Sequence, residues 1–155
     1  EDGDTLVLCG DTPLITGKTL KALVEQHRRQ GNTITVLSTI VDDSTGYGRI
    51  IRDYNGEFVK IVEQKDASIE ELKVKEINSG MYLFNSRALT KSLGMLNNNN
   101  AQGEYYLTDT LEIVKKNGLG KVDSYVISDS DEIKGVNSPE QLKEAETILK
   151  SEKVL

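Results

Sequence analysis

Asp11 follows the apolar run Thr5-Leu-Val-Leu-Cys-Gly10 and precedes Pro13. That places a lone carboxylate just past a strand's carboxyl end, where open α/β sheets hold ligands and where one acid can grip a Mg²⁺ ion that keeps several waters. A loop aspartate capping backbone N–H groups would look the same. Thr45-Gly46-Tyr47-Gly48-Arg49-Ile50 holds two glycines in three residues, which lets a ligand's hydroxyls or phosphate approach the backbone; a tight turn is the plain alternative. Glu63, among hydrophobic strand residues, faces inward at a cost unless its oxygens are hydrogen-bonded, and two adjacent sugar hydroxyls would satisfy both. A solvated glutamate at a strand end is the competing reading.

Asn78 and Asn137 each interrupt or end an apolar run. A carboxamide there can both donate to and accept from a sugar, or ligate a hard cation through oxygen, although either could be a turn residue. The segment Asn97-Asn98-Asn99-Asn100-Ala101-Gln102-Gly103-Glu104-Tyr105-Tyr106 is too polar for a core yet ends in two aromatics, a mixture suited to a binding loop or to a flexible surface loop. His27 continues a helix's apolar spacing and has no paired acid, cysteine or second histidine near it, so it belongs to packing. Cys9 reads as a small hydrophobe.

The elements that must position these groups follow from pattern. Residues 5–10 read as a fully buried strand. Thr16 is an N-cap for a helix whose Leu20, Leu23, Val24 and His27 recur at helical spacing until Gly31, and a strand over 33–41 follows. Strand, helix, strand with short joints predicts a right-handed parallel crossover, hence an α/β sheet with helices on its faces. Asn55-Gly56 between residues 49–52 and 58–64 predicts a hairpin. A strand over 77–84, a helix over 86–96, a loop, a helix from about Glu104 to Lys116 and a late strand over 122–127 complete the middle. Ser138-Pro139-Glu140-Gln141 opens a final helix with Leu142, Ala145 and Leu149 on one face.

Composition bounds the function. The 155 residues hold 19 Lys and Arg against 25 Asp and Glu, a formal charge of −6, which disfavours a nucleic-acid phosphate footprint and means that bound phosphates need a metal ion's help. Hydrophobic residues at 37% suffice for a core, no run is long enough to span a membrane, and the acidic start is unlike a signal peptide. One cysteine and one histidine argue against disulfides and catalytic zinc and favour a reducing cytoplasm.

Taken in order, Leu8-Cys9-Gly10-Asp11-Thr12-Pro13-Leu14, Thr45 to Ile50, Ile61-Val62-Glu63-Gln64-Lys65-Asp66-Ala67, Glu76-Ile77-Asn78-Ser79-Gly80, Asn98 to Asp109 and Gly135-Val136-Asn137 resemble the GlmU uridylyltransferase family of bacteria. The resemblance implies a Rossmann-like mixed sheet with helices on both faces and a β-rich sugar-binding insertion. It implies Mg²⁺ held by Asp11 and Asn137, sugar hydroxyls and amide held by Gly48, Glu63 and Asn78, and an acetamido group bordered by Glu104 and Tyr106. The reaction implied is attack by N-acetylglucosamine-1-phosphate on the α-phosphorus of UTP, giving pyrophosphate and UDP-N-acetylglucosamine, a cell-wall precursor. Two departures stand out: Cys9 occupies a position usually aromatic, and neither the family's Gly-rich nucleotide loop nor its acetyltransferase repeats are found in the sequence. The expectation is therefore a partial domain over residues 1–155, N-terminally truncated and unable to turn over alone, with an exposed sheet edge that favours homo-oligomers. Pyrophosphorylases for another sugar-1-phosphate and a non-catalytic sugar-nucleotide-binding module are the alternatives.

Overall fold

The computed structural model describes residues 2–152, and its elements run β1 (Asp4–Val7), α1 (Gly17–Gln30), β2 (Ile34–Ile40), β3 (Arg49–Arg52), β4 (Phe58–Val62), β5 (Glu76–Asn85), α2 (Ser86–Leu93), α3 (Asp109–Lys116), β6 (Val122–Ile127) and α4 (Pro139–Glu152). Short 3-10 turns at Glu71–Lys73 and Ser130–Ile133 lead into β5 and toward α4. The punctuation works as its chemistry dictates. Thr16 accepts the Thr19 N–H at 3.1 Å to open α1, and Gly31, at φ 62°, closes it in the left-handed conformation.

The strands form one mixed sheet in the order β4-β3-β5-β2-β6, with β1 also paired to β5. β1 and β2 both run antiparallel to β5, and β2 pairs in parallel with β6. The crossover from β1 to β2 is thus between parallel strands, with β5 inserted between them. The Asn55-Gly56 hairpin is present, its turn held by Asp53 Oδ1, which accepts from the N–H groups of Asn55 and Glu57. Rather than forming a separate layer, the hairpin extends the sheet.

Alternate residues of the central strands feed two cores. Ile34, Val36, Tyr82 and Phe84 pack with Ala88 of α2 and with Leu111 and Val114 of α3; Leu37, Met81 and Leu83 pack with Leu23 of α1, Ile127 and Ile133. Helices therefore cover both faces, because a strand with two buried faces can carry apolar residues without interruption.

Four expectations need correction. β1 is short and alternates exposed with half-buried residues, because β5 is its one partner among the described residues. α2 ends at Leu93, short of Leu96, where Gly94 follows. α3 begins at Asp109, not near Glu104, since Asn100 spends its side chain on the loop, accepting from the Gln102 and Glu104 N–H groups and donating to the Glu104 carbonyl. On α4, Ala145 is buried but Leu142 and Leu149 are exposed: the helix turns its Gln141, Glu144, Ala145 and Ile148 side toward the body. His27 is buried against Thr35 at 2.9 Å, the packing role its spacing suggested.

Candidate functional site

The register of β5 creates the site. One edge of β5 is shared by two strands, β1 along Tyr82 to Asn85 and β3 at Ile77. On its other edge the pairing with β2 slips between Val36 and Ser38, leaving Ser79, Gly80 and Met81 as a bulge in which Gly80 takes φ 78°. On the first edge, β1 ends opposite Tyr82 and β3 begins opposite Ile77, so the same stretch of β5 lies between the two strands. The motif Asn78-Ser79-Gly80 thus runs from the last paired residue into the bulge.

The first cluster is the predicted metal pair. Asp11 lies beyond β1, and Asn137 precedes α4. Asp11 accepts the Val136 N–H on its backbone oxygen at 2.8 Å, tying the two segments. A Cβ built on Gly135 would stand 3.4 Å from Asp11 Oδ2 and 3.3 Å from Asn137 Nδ2, so the two side chains flank one point and are separated by no more than about twice that distance. Both line a cleft of about 370 Å³ with Cys9, Thr12, Tyr47 and Ser79. A carboxylate and a carboxamide around a space that only glycine leaves open are a fitting donor set for a hard cation, provided the amide turns its oxygen inward. A second tether reinforces the pair: Glu132 accepts from the Thr16 N–H at 2.9 Å and the Thr19 hydroxyl at 2.7 Å, joining the start of α1 to the Ser130–Ile133 turn.

The second cluster gathers Gly48, Glu63 and Asn78. Asn78 donates its N–H to the Gly48 carbonyl at 2.9 Å. A Cβ on Gly48 would lie 3.1 and 3.2 Å from the two oxygens of Glu63, so the bare backbone of Gly48 faces that carboxylate. Burial, then the nearby carboxylates of Asp66 and Asp109, push the Glu63 acid above its usual range, and Arg49 partly opposes them. Asn78 is nearly buried and already engaged, its Nδ2 donating to Tyr82 Oη at 2.8 Å and its Oδ1 accepting the Gly80 N–H at 3.0 Å. That leaves it one N–H and one lone pair for a ligand.

Glu63 also lines a cavity of about 400 Å³ with Asp66, Asn100, Tyr106 and Asp109. Tyr106 lines this cavity, its hydroxyl accepting from Gln102 Nε2 at 2.7 Å. The loop is fastened to the turn after β4 by Ala101 N–H on Asp66 Oδ1 and by Lys65 on Gln102. Glu104 is exposed and does not line this cavity. Asp109 is pushed up by burial, Glu112 and Asp66, so this pocket is acidic and suited to hydroxyl donors.

Two residues escaped the reading of the sequence. Glu132 gave no local sign of its role, since its partners lie far away in the chain. Arg49 gave none either, since Arg52 in the same short run carries the same charge yet pairs with Glu76.

Comparison with known proteins bears on the fold and the family. Residues 1–130 match the nucleotidyl transferase family. The bifunctional protein GlmU of Caldanaerobacter subterraneus subsp. tengcongensis is 56% identical over 149 residues, covering 96% of this chain and 32% of that protein. GlmU of Clostridioides difficile is 55% identical over 150 residues, with 96% and 32% covered. The chain thus spans about a third of the length of these relatives. A Bacillus anthracis protein described as a glucose-1-phosphate thymidylyltransferase, solved with a sucrose, has a similar fold at TM-score 0.66 and 22% identity, over 95% of this chain and 54% of its own. A CMP:2-keto-3-deoxy-manno-octonic acid synthetase with CTP superposes at TM-score 0.64 and 14% identity, over 96% of this chain and 62% of its own. A sheet of this topology, a bulge that opens it and a match that covers most of the sequence make the chain a member of the nucleotidyl transferase family.

Proposed function

We propose that the chain carries the sugar-binding and metal-binding portion of a uridylyltransferase that joins UTP and N-acetylglucosamine-1-phosphate to give UDP-N-acetylglucosamine and pyrophosphate. The observation that supports this most is the meeting of Asp11 and Asn137 at Gly135, beside the bulge that carries Asn78 toward Gly48 and Glu63. Glu63 accepts two sugar hydroxyls, the Gly48 backbone passes under the ring, and Asn78 spends its remaining N–H and lone pair on the acetamido or a hydroxyl group. Tyr106 closes the acetamido side. Asp11 and Asn137 hold Mg²⁺, which supplies neutralisation of the phosphate charge that an acidic chain cannot.

The sugar phosphate's oxygen displaces pyrophosphate from the α-phosphorus, and the residues' part is to orient that oxygen and keep the two phosphates in line. No side chain need donate or remove a proton, because the attacking phosphate oxygen is already ionised. The reading carries with it a cytoplasmic setting, where UTP is found; among the described residues no helix is long and apolar enough to cross a membrane.

Calorimetric titration with UDP-N-acetylglucosamine, with and without Mg²⁺, tests the reading, alongside pyrophosphate release from UTP and N-acetylglucosamine-1-phosphate. Binding of the sugar nucleotide that Glu63→Gln weakens supports it. Equal affinity for UDP-glucose would shift the substrate to another sugar, and no binding of either would overturn it.

A further inference from the structure

Arg49 is 2% exposed and, among the described residues, makes no ion pair. Its acceptors are neutral. Nη1 donates to the Tyr47 carbonyl, and Nη1 and Nη2 reach Gln64 Oε1 at 3.4 and 3.3 Å. The same Oε1 accepts the Gly46 N–H, while the buried Nε of Arg49 has no partner. A buried guanidinium without a carboxylate is a costly arrangement, and an orphaned donor adds to the cost. What it gains is position. Tyr47 and Arg49 bracket Gly48, and Gln64 follows Glu63, so one cation fastens the backbone on either side of the site's glycine to the residue beside its carboxylate.

We propose that Arg49 is a positioning residue of the sugar subsite: by joining Tyr47 to Gln64 around Gly48, it fixes the gap between the Gly48 backbone and the Glu63 carboxylate. This deepens the sugar reading above and rests on it for the ligand, though not for the clamp itself. Arg49 also contributes charge. The groups facing Glu63 are Asp66 in the turn after β4, Asp109 on α3, Tyr82 on β5 and Arg49 on β3, and Arg49 is the one cation among them. Lys60, Glu112 and Lys116 line the same cavity.

The test separates geometry from charge and has readouts that need no ligand. Gln64→Leu keeps the cation and removes its acceptor; Arg49→Met removes the cation and its donors while Gln64 remains; Arg49→Lys keeps charge without a planar fork. In Arg49→Lys, amide exchange at Gly46, whose own acceptor Gln64 is intact, speeds up about tenfold while amides of β2 and β5 stay protected. In Arg49→Met, the Glu63 carboxyl, followed by carbon-13 NMR, titrates at higher pH than in the parent, and Arg49→Lys restores that midpoint but not the Gly46 protection. Affinity for UDP-N-acetylglucosamine drops about tenfold in Gln64→Leu and Arg49→Met. Unchanged Gly46 exchange in Arg49→Lys overturns the clamp even if Arg49→Met fails to fold. A parent chain that binds no UDP-N-acetylglucosamine counts against the substrate reading instead, and the exchange and titration results still decide the role of Arg49.

Discussion

Gly48→Ala isolates the sugar subsite from the stability of the fold. Gly48 is buried but not in the left-handed region, so an alanine adopts its backbone without strain. The new methyl would meet Glu63 Oε1 at 3.1 Å, Oε2 at 3.2 Å and Ile61 Cγ2 at 3.2 Å, and each neighbour must give by a few tenths of an ångström. Such overpacking costs about 1 to 3 kcal/mol, and the stiffer unfolded chain returns about 0.4 to 1 kcal/mol. The net loss is about 1 kcal/mol, a drop in Tm of roughly 2 to 4 °C. Binding suffers far more. The methyl stands where a hydrogen-bond donor to Glu63 belongs, and two hydrogen bonds to a charged carboxylate at about 1.5 kcal/mol each give about 3 kcal/mol, or roughly a hundredfold in affinity. Calorimetry with UDP-N-acetylglucosamine and a thermal melt measure the two effects on one sample. An alanine variant that binds within about threefold of the parent would show that the sugar does not lie between Gly48 and Glu63.

Further outcomes follow from other parts of the molecule. With Mg²⁺ at about a hundred times its dissociation constant the chain gains about 2.7 kcal/mol of stability, and Asp11→Asn abolishes that gain in a melt without changing the metal-free Tm by more than a few degrees. Burial holds the His27 pKa below its ordinary 6.5, against the pull of Asp4. The unfolded chain therefore takes up this proton first, so the stability contributed by neutral His27 is complete above pH 6.5 and is lost as pH falls toward the lower folded value. Urea midpoints measured across that range should fall more steeply in the parent than in His27→Leu. Glu76 is pushed up by burial, yet hydrogen bonds from Arg52, Ser124 and Ser38 outweigh this and hold it low. Arg52→Met leaves that half-buried carboxylate without its cation and costs about 3 kcal/mol by urea denaturation. Leu6 and Leu8 are exposed on and just beyond β1, whose one partner among the described residues is β5; we propose that copies of the chain associate along this edge, so that Leu6→Lys lowers the sedimentation coefficient, and an unchanged profile refutes it.

Elements whose causes are local could be read from the sequence. Thr16 and Gly31 bound α1, Asn55-Gly56 turns the hairpin, and apolar runs mark the central strands. Asp11, Gly48, Glu63 and Asn78 stood out because their types conflict with their surroundings. The start of α3 was misplaced because Asn100 diverts the preceding backbone into its own turn. Leu142 and Leu149 misled because a helical stripe shows that a face exists, not which neighbour will cover it. Arg49 and Glu132 were illegible for a related reason: the worth of a charge depends on what reaches it from elsewhere, and Gln64, Thr16 and Thr19 reach them only once the sheet has formed.

Asp11 and Asn137 stand 126 positions apart in the sequence, so synthesis must run that far beyond Asp11 before the two can meet. The hairpin and the bulge beside Gly48, Glu63 and Asn78 need only the stretch up to Asn85. During synthesis the surroundings of Gly48, Glu63 and Asn78 are therefore complete before Asp11 and Asn137 can come together at Gly135.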